Sequence, residues 1–362
     1  MAKPKNVFIV GAGFSKNAGL PIQSEFTELM LAAVNHKTGM RRRLMPDLAD
    51  FVREIFGYSS GKDIKEFPEL EDIFTTIDMS ANTGHHLGPK YNPQRLRRLR
   101  RVLLSNIIRM LNAAYLDGRR HPPTQRAALL DLLGSVSSDS HQFVSLNWDV
   151  VLESCFVELE RPFAPFYSKE IKRAHIENNV LTEIEAAPEQ MLVSKMHGSI
   201  NWLYCDCCRR TFAVPTNKVG SLAYQVLKPE EVRELFPKDT HTRLICTRCR
   251  DVDLSVRLAT FSYQKAMRTT MFESAWLEAE KALRRAGKWI FIGYSLPAAD
   301  FEFKYLLKRI QLARSKQPKI QVVTKSDDLS DGTILRYKRL FGDRNIEFFP
   351  GGLSKSTNQK LL

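Results

Sequence analysis

The sequence lacks the features that mark a membrane or exported protein. It has no uninterrupted apolar run of about 18 residues, the length that a membrane-spanning helix requires. A short apolar run at residues 6–10 is followed at once by a glycine turn and has no signal-peptide cleavage site after it. We therefore expect a cytoplasmic protein with no membrane partner.

Acidic residues are scarce relative to basic ones. The 362 residues include 40 Asp and Glu against 54 Lys and Arg, a formal net charge of +14. Such an excess is compatible with a polyanionic partner such as nucleic acid. Two alternatives remain open, because many basic proteins bind no nucleic acid and the charge could also serve an anionic small ligand.

Short apolar runs predict the strands of one sheet, and helical patterns separate several of them. Strands alternating with helices indicate an α/β protein with a Rossmann-like, doubly wound parallel sheet. The predicted strands cover residues 6–10, 142–146, 192–196, 288–292, 319–323 and 345–348.

The same patterns suggest how the chain is organised. We expect one main domain over residues 1–350, and we interpret residues 22–140 as a helical insertion because apolar residues there recur at helical spacing. Residues 200–260 are expected to form a small zinc-binding module. The polar segment 351–362 is expected to be a flexible tail.

The first predicted strand leads into the turn Gly11-Ala12-Gly13-Phe14-Ser15. Gly11 would allow a tight turn, and Gly13 has no Cβ to keep a phosphate away from the backbone. The amide groups at the start of the next helix would attract that phosphate. The complete GxGxxG pattern is not present, so an ordinary strand-to-helix turn is the alternative.

Other polar groups directly follow later strands: Asn147 and Asp149, then His197, then Gly293 and Ser295. Ligands of open α/β sheets bind at the carboxyl ends of the strands. An imidazole at that edge could also take up a proton near neutral pH.

Each of these groups has a structural alternative. Asn147 or Asp149 could cap the helix that follows, and His197 could be a structural histidine. Gly293 and Ser295 could belong to a simple strand-to-helix loop, with Asp300 as the helix cap.

Five of the six cysteines form two short groups, which in a chain without an export signal favours a metal over disulfides. Cys205-x-x-Cys208 and Cys246-x-x-Cys249 suit a tetrahedral zinc ion held by four thiolates. Such a zinc would be structural, because four thiolates leave no open position. Cys207 could replace Cys208, and chance pairing of reduced thiols is the alternative.

In their order along the chain, these motifs resemble the sirtuin superfamily, from about Asn6 to Val323. The resemblance implies NAD+ as the ligand, with its phosphates on the turn that runs from Gly11 to Ser15. It also implies a zinc ion on the four cysteines. The remaining residue roles it implies are Asn147 and Asp149 against the nicotinamide and its ribose, His197 as the base, and Gly293 and Ser295 on the adenosine side.

Three departures separate the chain from sirtuin deacylases. Pro21 is not followed by the arginine-containing stretch of those enzymes, Leu146 replaces a glutamine, and Thr324 replaces an asparagine. The acidic segment 69–78 and these changes look like the bacterial sirtuin-like NADases of anti-phage defence. That resemblance implies an NAD+ hydrolase that releases nicotinamide and ADP-ribose.

Two other functions remain open, an NAD-dependent protein deacylase and a non-catalytic module that binds ADP-ribose. The family analogy also implies a homo-oligomer and, as a candidate partner, a DNA-translocating ATPase of the HerA type. The basic stretch Arg95–Arg101 could contact DNA or such a partner, or it could be an ordinary solvated helix face.

Overall fold

The computed structural model describes residues 6–32, 41–57, 68–161, 164–185, 189–236, 243–250, 254–259, 270–325 and 332–362. The strands are β1 (Asn6–Val10), β2 (His141–Ser145), β3 (Ala164–Phe166), β4 (Ile171–Glu177), β5 (Val180–Glu183), β6 (Gln190–Lys195), β7 (Gly198–Cys205), β8 (Thr211–Ala213), β9 (Ile245–Cys246), β10 (Leu254–Leu258), β11 (Lys288–Ile292), β12 (Lys319–Val323) and β13 (Ile346–Phe349). The helices are α1 (Ala12–Lys16), α2 (Gln23–Ala32), α3 (Arg41–Phe56), α4 (Leu70–Thr83), α5 (Pro93–Arg120), α6 (Gln125–Gly134), α7 (Val151–Glu158), α8 (Val219–Leu222), α9 (Pro229–Leu235), α10 (Thr270–Arg285), α11 (Phe301–Leu312), α12 (Gly332–Phe341) and α13 (Lys355–Leu361).

Seven strands form one parallel sheet in the order β13-β12-β11-β1-β2-β6-β3. Phe8 and Val10 of β1 pack on one face, in a core that includes α4 and α5. Val7 and Ile9 pack on the other face, in a core built with α10, α11 and α12. Helices thus cover both faces, which confirms the predicted α/β class with a doubly wound parallel sheet.

The strand order of this sheet changes direction at β1, although all the strands are parallel. It runs from β1 through β2 to β6 on one side, and later returns to β11 on the other side of β1. The elements that follow β1 and β11 therefore lead to opposite faces. A crevice at the carboxyl ends of such strands is the usual ligand position in open α/β sheets.

Five helices, α2 to α6, occupy the described part of the predicted insertion 22–140, where no named strand occurs. The longest, α5, is capped by the preceding Asn92, whose side chain accepts a hydrogen bond from the Arg95 N–H at 2.9 Å. Pro93 follows at the first helical position, where its missing N–H costs nothing. Among the described residues, no helix has both the length and the apolar character needed to cross a membrane.

The basic residues in the first half of α5 form ion pairs with acidic residues of the same chain. Arg98 and Arg100 form ion pairs of 2.6 Å with Glu234 and Asp78, and Arg101 pairs with Glu231. Their side chains are only 24 to 32% exposed, so this charge is largely balanced within the chain.

A second sheet, which the sequence patterns did not predict, carries the cysteines. Its order is β10-β7-β8-β4-β5-β9, with parallel and antiparallel pairs. Two of its strands, β4 and β5, precede the predicted module 200–260, so the module extends further towards the N-terminus than expected. Both β4 and β5 are only partly buried and have no clean apolar alternation, which explains why the sequence analysis missed them.

The expectation of a flexible tail after residue 350 is wrong for its last turns, which form α13. Ser354 caps this helix by accepting the Thr357 N–H at 3.1 Å. Asn358 and Leu361 are buried, and the Asn358 amide donates to Ala128 O and Asp131 Oδ2, both at 2.8 Å. The polar composition indicated a loose segment, but the few buried residues of α13 hold this helix against α6.

Candidate functional site

Four adjacent parallel strands, β11, β1, β2 and β6, bring the predicted residues to one edge of the sheet. Val10 pairs with Ser145 on one side and with Ile292 on the other, and Ser145 pairs with Lys195. The strands therefore end nearly level. The sheet register places side by side the groups that follow them, which are Gly11–Ser15, Asn147 and Asp149, His197, and Gly293.

The glycines allow two strand-end loops to touch. The Gly13 N–H donates to Gly293 O at 2.9 Å, and the Gly11 N–H donates to Ile292 O at 3.1 Å. A Cβ on Gly293, whose φ is +63°, would lie 2.1 Å from Phe14 N, and one on Gly13 would lie 2.7 Å from Gly293 Cα. Close backbone contact thus requires these glycines, a reason that the sequence analysis did not foresee.

Asn147, Ser15 and Asp149 form a buried chain of hydrogen bonds. The Asn147 amide donates to Gly11 O at 2.8 Å and to Ser15 Oγ at 3.0 Å. Ser15 Oγ in turn donates to Asp149 Oδ1 at 2.9 Å. All three side chains belong to residues that are at most 9% exposed. The first helix after β1, α1, is therefore tied directly to the turn after β2.

Asp149 also has the structural role that the sequence left open. Its Oδ1 accepts the Val151 N–H at 3.0 Å, at the first residue of α7. One carboxylate thus orders both the start of a helix and the Ser15 hydroxyl.

A buried ion pair that the sequence analysis missed lies beside this turn. The Lys195 ammonium is 3.2 Å from Glu153 Oε1 and also donates to Asp149 O. Tyr167 OH donates to the same Glu153 oxygen at 3.3 Å. The available signal was a lysine in the otherwise uncharged strand β6. A charged side chain in a buried strand needs a partner of opposite charge, so this lysine could have indicated an ion pair.

His197 follows β6 and is 5% exposed, with both ring nitrogens near acceptors. Nδ1 lies 3.1 Å from Leu146 O, and Nε2 lies 3.6 Å from Asp300 Oδ1. A backbone carbonyl can only accept, so Nδ1 carries a hydrogen. The buried strand-end position fits either a structural or a chemical role for this histidine.

Asp300 is part of the site and does not act as the helix cap considered above. Its side chain makes no capping hydrogen bond to α11, and its Oδ2 accepts from Tyr294 OH at 3.1 Å. Burial, aided by the nearby Asp300 charge, raises the pKa of Tyr294 well above its usual value, so the phenol stays a donor.

The loop between β11 and α11 is anchored by α12. Tyr337 OH donates to Tyr294 O at 2.8 Å, and Arg336 Nε donates to Ser295 O at 2.7 Å. Ser295 is exposed, unlike the buried groups of the other strand ends. The structure therefore places Ser295 on the same edge but outside the buried chain of hydrogen bonds.

The four predicted metal ligands meet in the second sheet. The sulfurs of Cys205, Cys208, Cys246 and Cys249 all lie within 4.8 Å of one another. A tetrahedral zinc with Zn–S bonds of about 2.3 Å needs sulfurs about 3.8 Å apart. Two of these separations, 3.4 Å for Cys205–Cys249 and 3.7 Å for Cys208–Cys246, are close to that spacing. The donor set therefore fits zinc.

The two cysteine pairs have matching backbone turns. The residue after each pair, Arg209 or Arg250, has a φ near +60°. Burial raises the pKa of the Cys205 and Cys246 thiols, while backbone N–H groups near each sulfur lower it. Cys207 is exposed and outside the cluster, so the structure selects Cys208 as the ligand.

Comparisons with known proteins leave the family open. No protein-family model and no curated protein matches this sequence. A solved structure described as "Structural Basis for the Mechanism and Regulation of Sir2 Enzymes" is similar over 99% of this chain and 90% of that chain. The sequence identity is 13% and the TM-score is 0.34, so the function has to be inferred from the residues of this chain.

Proposed function

We propose that this protein is a cytoplasmic, sirtuin-like enzyme that hydrolyses NAD+ to nicotinamide and ADP-ribose. The observation that supports the proposal is the meeting of four motif groups at one sheet edge. There Asn147, Ser15 and Asp149 share one buried hydrogen-bonded chain, and His197 follows the adjacent strand. The order of these motifs along the chain resembles sirtuins, which makes NAD+ the ligand to test.

The chemistry needs few groups, because the nicotinamide of NAD+ is already a good leaving group. The bond between ribose C1′ and the nicotinamide nitrogen breaks, and its electron pair neutralises the ring. A water oxygen then bonds to C1′ and loses a proton. The protein has to stabilise the oxocarbenium-like ribose and hold the water.

In this proposal each side chain has one task. Asn147 orients the ribose and the water, and His197 accepts a proton from a ribose hydroxyl or from that water. Asp149 lies against the nicotinamide and its ribose. The turn that begins at Gly11 contacts the phosphates, while Gly293 and the exposed Ser295 contact the adenosine. Zinc on the four cysteines would stabilise the second sheet and take no part in the reaction.

The segment after the glycine turn favours hydrolysis over deacylation. Deacylases carry an arginine-containing stretch after the proline that corresponds to Pro21. Here the Ile22 N–H donates to Glu25 Oε2 at 3.0 Å as α2 begins, and Glu25 also pairs with Lys16. An acidic helix start takes the place of that arginine.

The cysteine cluster favours the second candidate, an NAD-dependent protein deacylase. Deacylases of the sirtuin superfamily keep the same asparagine, histidine and zinc, and the oxygen of an acylated lysine attacks C1′ in place of water. The two functions differ in whether nicotinamide release needs an acylated peptide.

An unregulated NADase would kill its host, so we propose a resting state that a partner or an assembly activates, in bacterial anti-phage defence. The contacts of the site are compatible with rest, because the Asn147 amide and the Gly11 and Gly13 N–H groups are already bound within the chain. A homo-oligomer and a DNA-translocating ATPase of the HerA type are the candidate activators.

The test is nicotinamide release from NAD+ by the purified protein, measured alone, with the candidate ATPase and with an acetylated peptide. We expect release without peptide in at least one of these conditions. His197→Ala should then lower the rate by about 100- to 10,000-fold, the usual range for a placed acid or base. Asn147→Ala, which removes the group that orients the ribose and the water, should nearly abolish turnover. His85→Ala, at an exposed position, is the matched control.

Release that strictly requires the peptide would support the deacylase. Tight ADP-ribose binding with no turnover in any condition would indicate a binding module. Normal turnover by folded His197→Ala and Asn147→Ala proteins would rule out the proposed site.

A further inference from the structure

Asp300 lies between Tyr294 and His197, and neither Asp300 nor Tyr294 has a task in the proposed reaction. Tyr294 OH donates to Asp300 Oδ2 at 3.1 Å, and Asp300 Oδ1 lies 3.6 Å from His197 Nε2. Both carboxylate and imidazole are nearly buried, with side chains 8% and 6% exposed. Two titratable groups this close, out of water, cannot ionise independently.

The contact of Nδ1, the second ring nitrogen of His197, restricts where the ring can carry its protons. Leu146 O lies 3.1 Å from Nδ1, so Nδ1 bears a hydrogen. A neutral ring would then place an unprotonated Nε2 3.6 Å from a buried carboxylate, which is repulsive. A proton on Nε2 turns the same geometry into a buried, charge-assisted contact.

We propose that Asp300 is a positioning residue that keeps His197 Nε2 protonated in the substrate-free site, with Tyr294 holding the carboxylate. This inference rests on the proposed function only in taking His197 as the base. Nε2 can accept the proton of a ribose hydroxyl or water only after its own proton has passed to Asp300 Oδ1 and the ring has turned its single Nε2 lone pair from that carboxyl group towards the substrate. The substrate-free site would thus hold its base in the charged, inactive form.

The other charged or titratable groups described on the neighbouring elements have partners of their own. Asp149, after β2, is bound by Ser15 and by the Val151 N–H. Lys195, on β6, contacts Glu153 and Asp149 O. From α10, Trp276 donates to Met196 O at 3.0 Å and carries no charge. Asp300 is therefore the carboxylate that faces Nε2 in this part of the structure.

The experiment is a pH titration of the full-length protein by 15N NMR of its histidine rings, without NAD+. Ring nitrogen shifts distinguish imidazolium from each neutral tautomer, and His197→Gln assigns the signal among the eight histidines. We expect wild-type His197 to remain imidazolium well above pH 6.5, about the ordinary histidine midpoint.

Two variants should move that midpoint in opposite directions. Asp300→Asn removes the negative charge and should lower the midpoint by about one pH unit or more. Tyr294→Phe removes a donor to the carboxylate, makes Asp300 more basic and should raise it. Glu347→Gln, at the far edge of the sheet beside Lys319, is the charge-matched control and should change nothing.

A purely structural contact would not shift the midpoint in two directions. A neutral His197 at pH 7 in the wild type, or equal midpoints in all three proteins, would overturn the proposal. If Asp300→Asn does not fold, Tyr294→Phe and the wild-type tautomer still decide it. The titration needs no turnover, so it separates this inference from failure of the proposed NADase activity.

Discussion

The strand-end site and the cysteine cluster are both built from polar groups that the sequence had marked, but they satisfy those groups differently. At the strand ends, amide, hydroxyl and carboxylate groups bind one another, as in the chain from Asn147 through Ser15 to Asp149. In the cluster, four sulfurs converge with only weak sulfur contacts between them. The first region satisfies its polar groups within the chain, whereas the second has the donor set and the sulfur spacing of a zinc site.

This difference predicts opposite responses to perturbation. The stability of a site whose polar groups bind one another should not need a ligand. It should depend instead on close backbone contacts, such as the one between Gly13 and Gly293. A cluster built around an ion should collapse when the ion or one thiolate is removed. Two experiments test the contrast, starting with the largest effect, and a third, with the smallest expected effect, tests the docking of α13.

Removing one thiolate should have the largest effect. Cys246→Ser should abolish stoichiometric zinc, measured by metal analysis, and should lower the thermal midpoint of unfolding. The apparent binding free energy of a structural zinc is about 10–16 kcal/mol in small zinc peptides. Cys207→Ser is the matched control, since Cys207 is exposed and outside the cluster. Equal zinc loss in the two variants would contradict the assigned ligands.

Gly293→Ala tests the backbone contact beneath the strand-end site. Its Cβ would lie 2.1 Å from Phe14 N, so two loops must move apart. We expect an overpacking cost of about 1–3 kcal/mol in the free energy of unfolding, measured by urea denaturation. Gly342→Ala has a similar positive φ but no atom within 4 Å, so it isolates the backbone strain. If both substitutions cost the same, the close contact is unimportant.

Asn358→Ala should have the smallest effect. It removes the amide that binds Ala128 O and Asp131 Oδ2, and we expect about 1 kcal/mol less stability in the same denaturation assay. Gln359→Ala, at the exposed neighbouring position, should cost far less. A larger loss from Gln359→Ala than from Asn358→Ala would mean that α13 does not dock as described.

Much of the fold could be predicted because its signals are local. Apolar runs such as residues 288–292 predicted the parallel sheet, and the helical spacing of apolar residues within 22–140 predicted the helices there. The second sheet was missed because β4 and β5 are only partly buried and have no regular apolar alternation. The docked α13 was missed because burial of Asn358 and Leu361 depends on α6, far away in the chain.

For the candidate site, the sequence alone determined which residue types follow the strands, and the spacing of the two cysteine pairs, because both are properties of neighbouring residues. Only the tertiary structure decided which of these residues contact one another. It paired His197 with Asp300, tied Ser15 to Asp149, chose Cys208 over Cys207, and explained Gly13 by its contact with Gly293. These contacts join segments far apart in the chain, so their geometry depends on the register of the parallel strands, which no local pattern contains.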